Sequence, residues 1–122
     1  MLYICYLRQL PMALREEIQS QAESFKELCR SHQVKYVYAF GSSVTEHFNE
    51  VTSDIDLLVE IDAADPVDRG EKLMSLWDKL EAFFHREVDL LTESSIKNPI
   101  LRKSIDATKV LIYDGSGEKA FI

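Results

Sequence analysis

The chain has 122 residues, enough for one domain with one core, and its 46% hydrophobic content is ordinary for a globular protein. The net charge of −7 disfavours a partner recognised through a nucleic-acid backbone, which calls for a basic face. No apolar run reaches the ~20 residues needed to cross a bilayer.

Met1 to Met12 is apolar, with Arg8 inside the apolar stretch instead of before it, so it lacks the order of a secretory signal. Met12-Ala13-Leu14-Arg15 reads as a start followed directly by a helix. Residues 1–11 are therefore expected to be an upstream extension that is not native, or a loosely packed arm, and 12–122 the domain. Residues 13–31 predict an amphipathic helix, because Leu14, Ile18, Ala22, Phe25, Leu28 and Cys29 recur every three or four residues. Cys5 and Cys29 make neither a metal spacing nor a disulfide framework, which fits a reducing cytoplasm.

Val34 to Phe40 predicts a strand rich in Val and Tyr. Gly41 makes a turn, and Ser42 is placed to cap a short helix to about His47. Phe48 to Ser53 reads as a loop. Ile55 to Ile61 is almost continuously apolar and predicts a central strand. Asp62 to Arg69 reads as a polar turn around Pro66. Residues 70–84 form a second helix, with Leu73, Leu76, Trp77, Leu80 and Phe84 as its buried stripe.

Glu87 to Leu91 is a third strand. Thr92 to Lys97 leads to Asn98-Pro99, an N-cap and first-turn pair, and a short helix runs to about Asp106. Lys109 to Tyr113 reads as a short strand, and Asp114-Gly115-Ser116-Gly117 as a turn or tail. Alternating helices and strands give an α/β or α+β architecture.

The chemistry concentrates in Phe40-Gly41-Ser42-Ser43, followed by Asp54-Ile55-Asp56-Leu57. Asp54 and Asp56 are two apart in an apolar run, so a strand points both to one face and Ile55 and Leu57 to the other. Adjacent carboxylates repel, and a divalent cation relieves that repulsion. Oxygen-only ligands favour a hard ion such as Mg²⁺. A Gly-Ser turn entering a helix offers backbone N–H groups to a phosphate. Together these point to Mg²⁺-dependent phosphoryl or nucleotidyl chemistry. The plainer readings are an ordinary strand-to-helix turn and surface aspartates on an edge strand, which the apolar neighbours make awkward.

The stretch from about Val34 to Tyr113 resembles the DNA polymerase β-like nucleotidyltransferases. There, a hydrophobic strand ending in Gly-Ser is followed by Asp-x-Asp on a strand and a third carboxylate on a later one. Asp89 in Glu87-Val88-Asp89-Leu90-Leu91 supplies the third, with Glu87 as the alternative. The short length is similar to the minimal nucleotidyltransferases (MNT), many paired with a HEPN partner as toxin and antitoxin.

The resemblance implies the polymerase β-like fold, a small mixed sheet flanked by helices. It also implies catalytic and metal roles for Asp54, Asp56 and Asp89. Gly41, Ser42 and Ser43 would hold the nucleotide, and two Mg²⁺ ions would act with ATP as substrate. The implied reaction moves AMP onto a hydroxyl acceptor, plausibly on a HEPN protein, with the acceptor held by a partner or a second subunit. Many family members carry Arg-x-Arg-Gly after Gly-Ser. Ser43-Val44-Thr45-Glu46 stands there instead, so a local basic phosphate contact is missing. Lys97, Arg102, Lys103 and Lys109 are the candidates to replace it, each more readily a solvated surface charge. The rival reading is a catalytically weak module that neutralises a partner by occlusion.

Overall fold

The computed structural model describes residues 10–44, 54–115 and 119–120, without the side chains of Met12, Ser42, Lys119 and Ala120. Of the extension expected over residues 1–11, residues 1–9, with Cys5, lie outside the described residues, and Leu10 is buried in the main core. The expectations for 45–53, including the end of the short helix, His47 and the loop from Phe48, also lie outside them.

The single helix expected over 13–31 is two helices, α1 (Met12–Ser20) and α2 (Ala22–Ser31). They break at Gln21, whose backbone leaves the helical region (φ −127°, ψ 41°). No Gly or Pro marks the break. Leu14 and Ile18 of α1, and Phe25 and Cys29 of α2, are all buried in the same core. Burial of Cys29 pushes its thiol pKa far up, consistent with a small hydrophobe. At the end of α2, the buried His32 sits with Nδ1 2.8 Å from the Leu28 carbonyl oxygen and Nε2 2.9 Å from Ser75 Oγ.

The strands are β1 (Val34–Phe40), β2 (Ile55–Ile61), β3 (Val88–Leu91), β4 (Val110–Asp114) and β5 (Lys119–Ala120). They form one mixed sheet in the order β3-β2-β1-β4-β5. Only β2 and β3 are parallel, and the other neighbours are antiparallel. The apolar run of β2 is internal, as expected, between β1 and β3. Asp114-Gly115-Ser116-Gly117 was expected to be a turn or tail; β4 extends to Asp114, and β5 pairs antiparallel with it, Asp114 opposite Lys119.

The parallel pair requires a crossover, supplied by α3 (Pro66–Phe84). This helix begins four residues before the expected 70, inside the stretch read as a polar turn. Pro66 is its first residue, where a missing N–H costs nothing, and Asp65 caps it by accepting from Asp68 N–H. Leu76, Leu80 and Phe84 are its buried stripe. Two of its side chains grip the start of β3. Trp77 Nε1–H donates to the Val88 carbonyl (2.6 Å), and Glu81 Oε2 accepts from Val88 N–H (3.1 Å). Among the described residues, no helix is long and apolar enough to cross a membrane.

The two faces of the sheet differ. Val37, Ala39, Leu57, Val59, Val88, Leu90 and Ile112 face the main core with α1, α2 and α3. The opposite face carries a small cluster, Phe40, Leu58 and Ile105, edged by Tyr38, Leu91 and Ile96. Ile105 comes from α4 (Pro99–Thr108), capped by Asn98 as expected and ending two residues later than expected.

Phe25 is fully buried, with its ring centroid 5.5 Å from Phe83, 6.4 Å from Phe84 and 6.5 Å from Tyr113. Phe25→Ala should therefore cost about 3–5 kcal/mol of unfolding free energy, measured by urea denaturation. A loss below about 1 kcal/mol would mean that α2 is not packed against α3 and β4 in this way.

Candidate active site

The site forms where β1 ends and β2 begins. Phe40 is in register with Asp56, and Asp56 with Asp89 across the parallel pair. Neighbouring strands lie about 4.8 Å apart, so these two carboxylates are immediate neighbours on the face that carries the smaller cluster. Asp54 precedes the first residue of β2 and is exposed. Glu87 is exposed ahead of β3, and its carbonyl oxygen accepts from Ile55 N–H (3.0 Å). Register thus selects Asp89 over Glu87 as the partner of Asp56.

The electrostatics record this crowding. The Asp56 pKa is pushed up to about 6, first by burial, then by the charge of Asp89 and a hydrogen bond to it, then by the charge of Asp54. Among the described residues, none of the groups acting on Asp56 is basic.

Gly41 opens a 3-10 turn, Gly41–Val44, with φ +65°, a left-handed conformation that favours glycine. The close approach matters as much as the angle. A Cβ on Gly41 would lie 2.8 Å from Asp56 Oδ2. The turn and the carboxylate therefore touch, and only a hydrogen fits between them.

Ser43 is fully buried, and its Oγ accepts from the Asp56 N–H at 2.7 Å. Ser43 was expected as a nucleotide contact; in the structure its hydroxyl points into the protein and ties the turn to the strand that carries Asp56. The Gly41 N–H is also taken, donating to Thr108 Oγ1 (3.2 Å). The expected supply of free N–H groups thus excludes the first one of the turn. The side chain of Ser42 lies outside the described residues.

Of the basic candidates, Arg102 is held by Glu93 and Asp106, and Lys109 by Asp106 (3.2 Å) with its Nζ 4.8 Å from the Tyr38 ring centroid. Lys97 and Lys103 are exposed. Tyr36 and Tyr38 pack edge to face at 5.3 Å on one face of the sheet.

Among the described residues, no three His, Cys, Asp or Glu side chains already form a metal cluster. What the structure brings together is the pair Asp56 and Asp89, with Asp54 acting on it from the strand start. An all-oxygen, mutually repelling pair is chemistry suited to a hard divalent cation. Sequence reasoning reached Asp56 through the strand pattern and Asp89, with Glu87 as the alternative, through the family resemblance. It missed Thr108, for which the sequence carries no signal, and the inward turn of Ser43.

Comparison with known proteins gives the family and the fold. Residues 22–112 match the nucleotidyltransferase domain family. A protein of Methanocaldococcus jannaschii, named as a candidate protein adenylyltransferase, is 39% identical over 87 residues, covering 71% of this chain and 85% of that protein. The fold is similar to the solved structure of a candidate minimal nucleotidyltransferase, with 26% identity and a TM-score of 0.54 over 78% of this chain and 92% of that one. It is also similar to a toxin–antitoxin structure with AMP-PNP, with 26% identity and a TM-score of 0.50 over 81% of this chain and 78% of that one.

Two outcomes follow from the geometry. Gly41→Ala should cost about 1–3 kcal/mol by urea denaturation, from the positive φ and the contact with Asp56; unchanged stability would show that the turn does not sit against the carboxylate. The second concerns pH. An Asp pKa raised from about 4 in the unfolded chain means the folded state holds the proton more tightly, so stability falls as pH rises through about 6. In a cation-free buffer, Asp56→Asn should raise Tm at pH 7.5 and leave it nearly unchanged at pH 4.5. Equal shifts at both pH values would rule out the repulsion.

Proposed function

Because the chain belongs to the nucleotidyltransferase domain family, we propose that it is a Mg²⁺-dependent transferase that moves AMP from ATP onto a hydroxyl acceptor. The observation that carries the reading is the register of Asp56 with Asp89 beneath the Gly41 turn. Asp56 and Asp89 would hold the metal, with Asp54 contributing from the strand start. When bound, divalent cations offset charge on the triphosphate and on the attacking and leaving oxygens.

The protein's own part is positioning. The Gly41–Val44 turn, free of a side chain at Gly41, lets a phosphate approach the carboxylate pair closely. Asp89, exposed at the end of the pair, accepts the proton of the attacking hydroxyl. The new bond joins that oxygen to the α-phosphorus, the bond to the β-phosphate breaks, and pyrophosphate leaves. Asp56 is kept in place by the bond from its N–H to Ser43.

Two similarities support the finer choices. The relative named as a protein adenylyltransferase supports AMP and a protein acceptor. The toxin–antitoxin structure with AMP-PNP supports ATP and a partner protein. With the resemblance of the motif to minimal nucleotidyltransferases, the acceptor is read as a HEPN-type protein, and this chain as its antitoxin. One observation favours a second reading, neutralisation by occlusion. Among the described residues, no basic group acts on Asp56, and Arg102 and Lys109 are engaged by acidic neighbours.

ATP labelled in its α-phosphate, with Mg²⁺ and a co-purified HEPN-type partner, separates the two. Label should appear on the partner with the wild type and fall by about 100-fold or more with Asp56→Asn. No labelling with any of the four nucleoside triphosphates, while Asp56→Asn still neutralises the partner, would sink the enzyme and leave the occluding binder.

A further inference from the structure

We propose that Thr108 is a positioning residue that clamps the Gly41 turn to the end of helix α4, so that this helix sets where the turn sits over Asp56. The clamp stands on geometry. Its consequence for nucleotide binding rests on the function proposed above.

The first N–H groups of any helical turn lack partners within the turn, and Gly41 carries the first of this one. It donates to Thr108 Oγ1 at 3.2 Å, across 67 residues of sequence. The hydroxyl is oriented for that task. It sits 3.0 Å from the Ser104 carbonyl oxygen and donates its proton there, which leaves its lone pairs to accept from Gly41.

The helix behind it is anchored independently. Ile105 is fully buried against Phe40 and Leu58, and Arg102 lies between Glu93 and Asp106. Phe40 is the residue just before Gly41, so α4 holds the end of β1 by packing and the start of the turn by a hydrogen bond. The turn is then fixed at two points. Thr108 holds its first residue, and Ser43 joins its third to the Asp56 N–H.

With a Cβ on Gly41 falling 2.8 Å from Asp56 Oδ2, a shift of the turn by a few tenths of an ångström changes its contact with that carboxylate. A phosphate bound between turn and carboxylates would feel such a shift directly. Thr108 acts on that space through its hydrogen bond with Gly41.

The test uses the whole chain and two substitutions. Thr108→Val keeps the shape and removes the acceptor, while Thr108→Ser keeps the hydroxyl. The first readout is hydrogen exchange of the Gly41 amide by NMR, without nucleotide. Exchange should quicken by roughly 5- to 10-fold in the valine variant and stay close to wild type in the serine variant. The second is the Kd for AMP-PNP with Mg²⁺ by calorimetry. It should rise by roughly 5- to 10-fold in the valine variant alone.

Unchanged Gly41 exchange in Thr108→Val overturns the clamp. So does an equal loss in both variants, which would mark a general packing role. If the wild type binds no AMP-PNP, the function proposed above fails, and Gly41 exchange still decides the clamp. If Gly41 exchange responds while AMP-PNP affinity does not, the coupling to the nucleotide is refuted.

Discussion

The structure turns on two carboxylates that electrostatics would separate and a parallel strand pair holds together. Asp56 and Asp89 are in register on β2 and β3. Partial burial, and then the charge of Asp89, raise the Asp56 pKa. Such a pair persists only if the strands cannot move apart. That is why β3, an edge strand of four residues, is gripped at Val88 by Trp77 and Glu81 of the crossover helix. The apolar stripe of α3 and the aromatic group around Phe25 supply the burial that keeps the crossover in place.

The sheet divides its labour by face. One face is wholly apolar and carries the main core under three helices. The other is only partly covered, by α4 and the small cluster around Ile105, and it presents Asp56 and Asp89 beside that cluster. Its remaining surface is polar and internally paired. The Tyr36 hydroxyl donates to Glu93, Glu93 also binds Arg102, and Asp106 takes Arg102 and Lys109. Each such pair is half exposed and contributes little alone. Together they orient α4, whose last residue reaches the Gly41 turn.

Much of the fold was legible because it is periodic. The period of two in Asp54-Ile55-Asp56-Leu57 assigned aspartates and aliphatic residues to opposite faces, and the long apolar run marked β2 as internal. Asn98-Pro99 announced α4 through its cap chemistry. The misreadings share a cause. Pro66 serves turns and helix starts equally well, and the side chain of Asp65 decides between them only once it caps. The break at Gln21 has no breaker residue, since a continuous amphipathic pattern suits one helix or two. The two-residue β5 is visible only through its pairing with β4.

By itself, the sequence determined what depends on neighbours along the chain: the strand faces, the helix stripes, the glycine at the turn and the presence of aspartates on two strands. These pointed to phosphoryl or nucleotidyl chemistry, and the resemblance of the motif to a known family narrowed that to nucleotidyl transfer. Tertiary structure alone decided which groups meet. It chose Asp89 over Glu87 by register, turned Ser43 inward onto the Asp56 amide, and brought Thr108 to Gly41. The reason is physical. Periodicity is a local property of the backbone, whereas register and hydrogen bonds between distant segments follow from how the faces pack, and no local pattern encodes that.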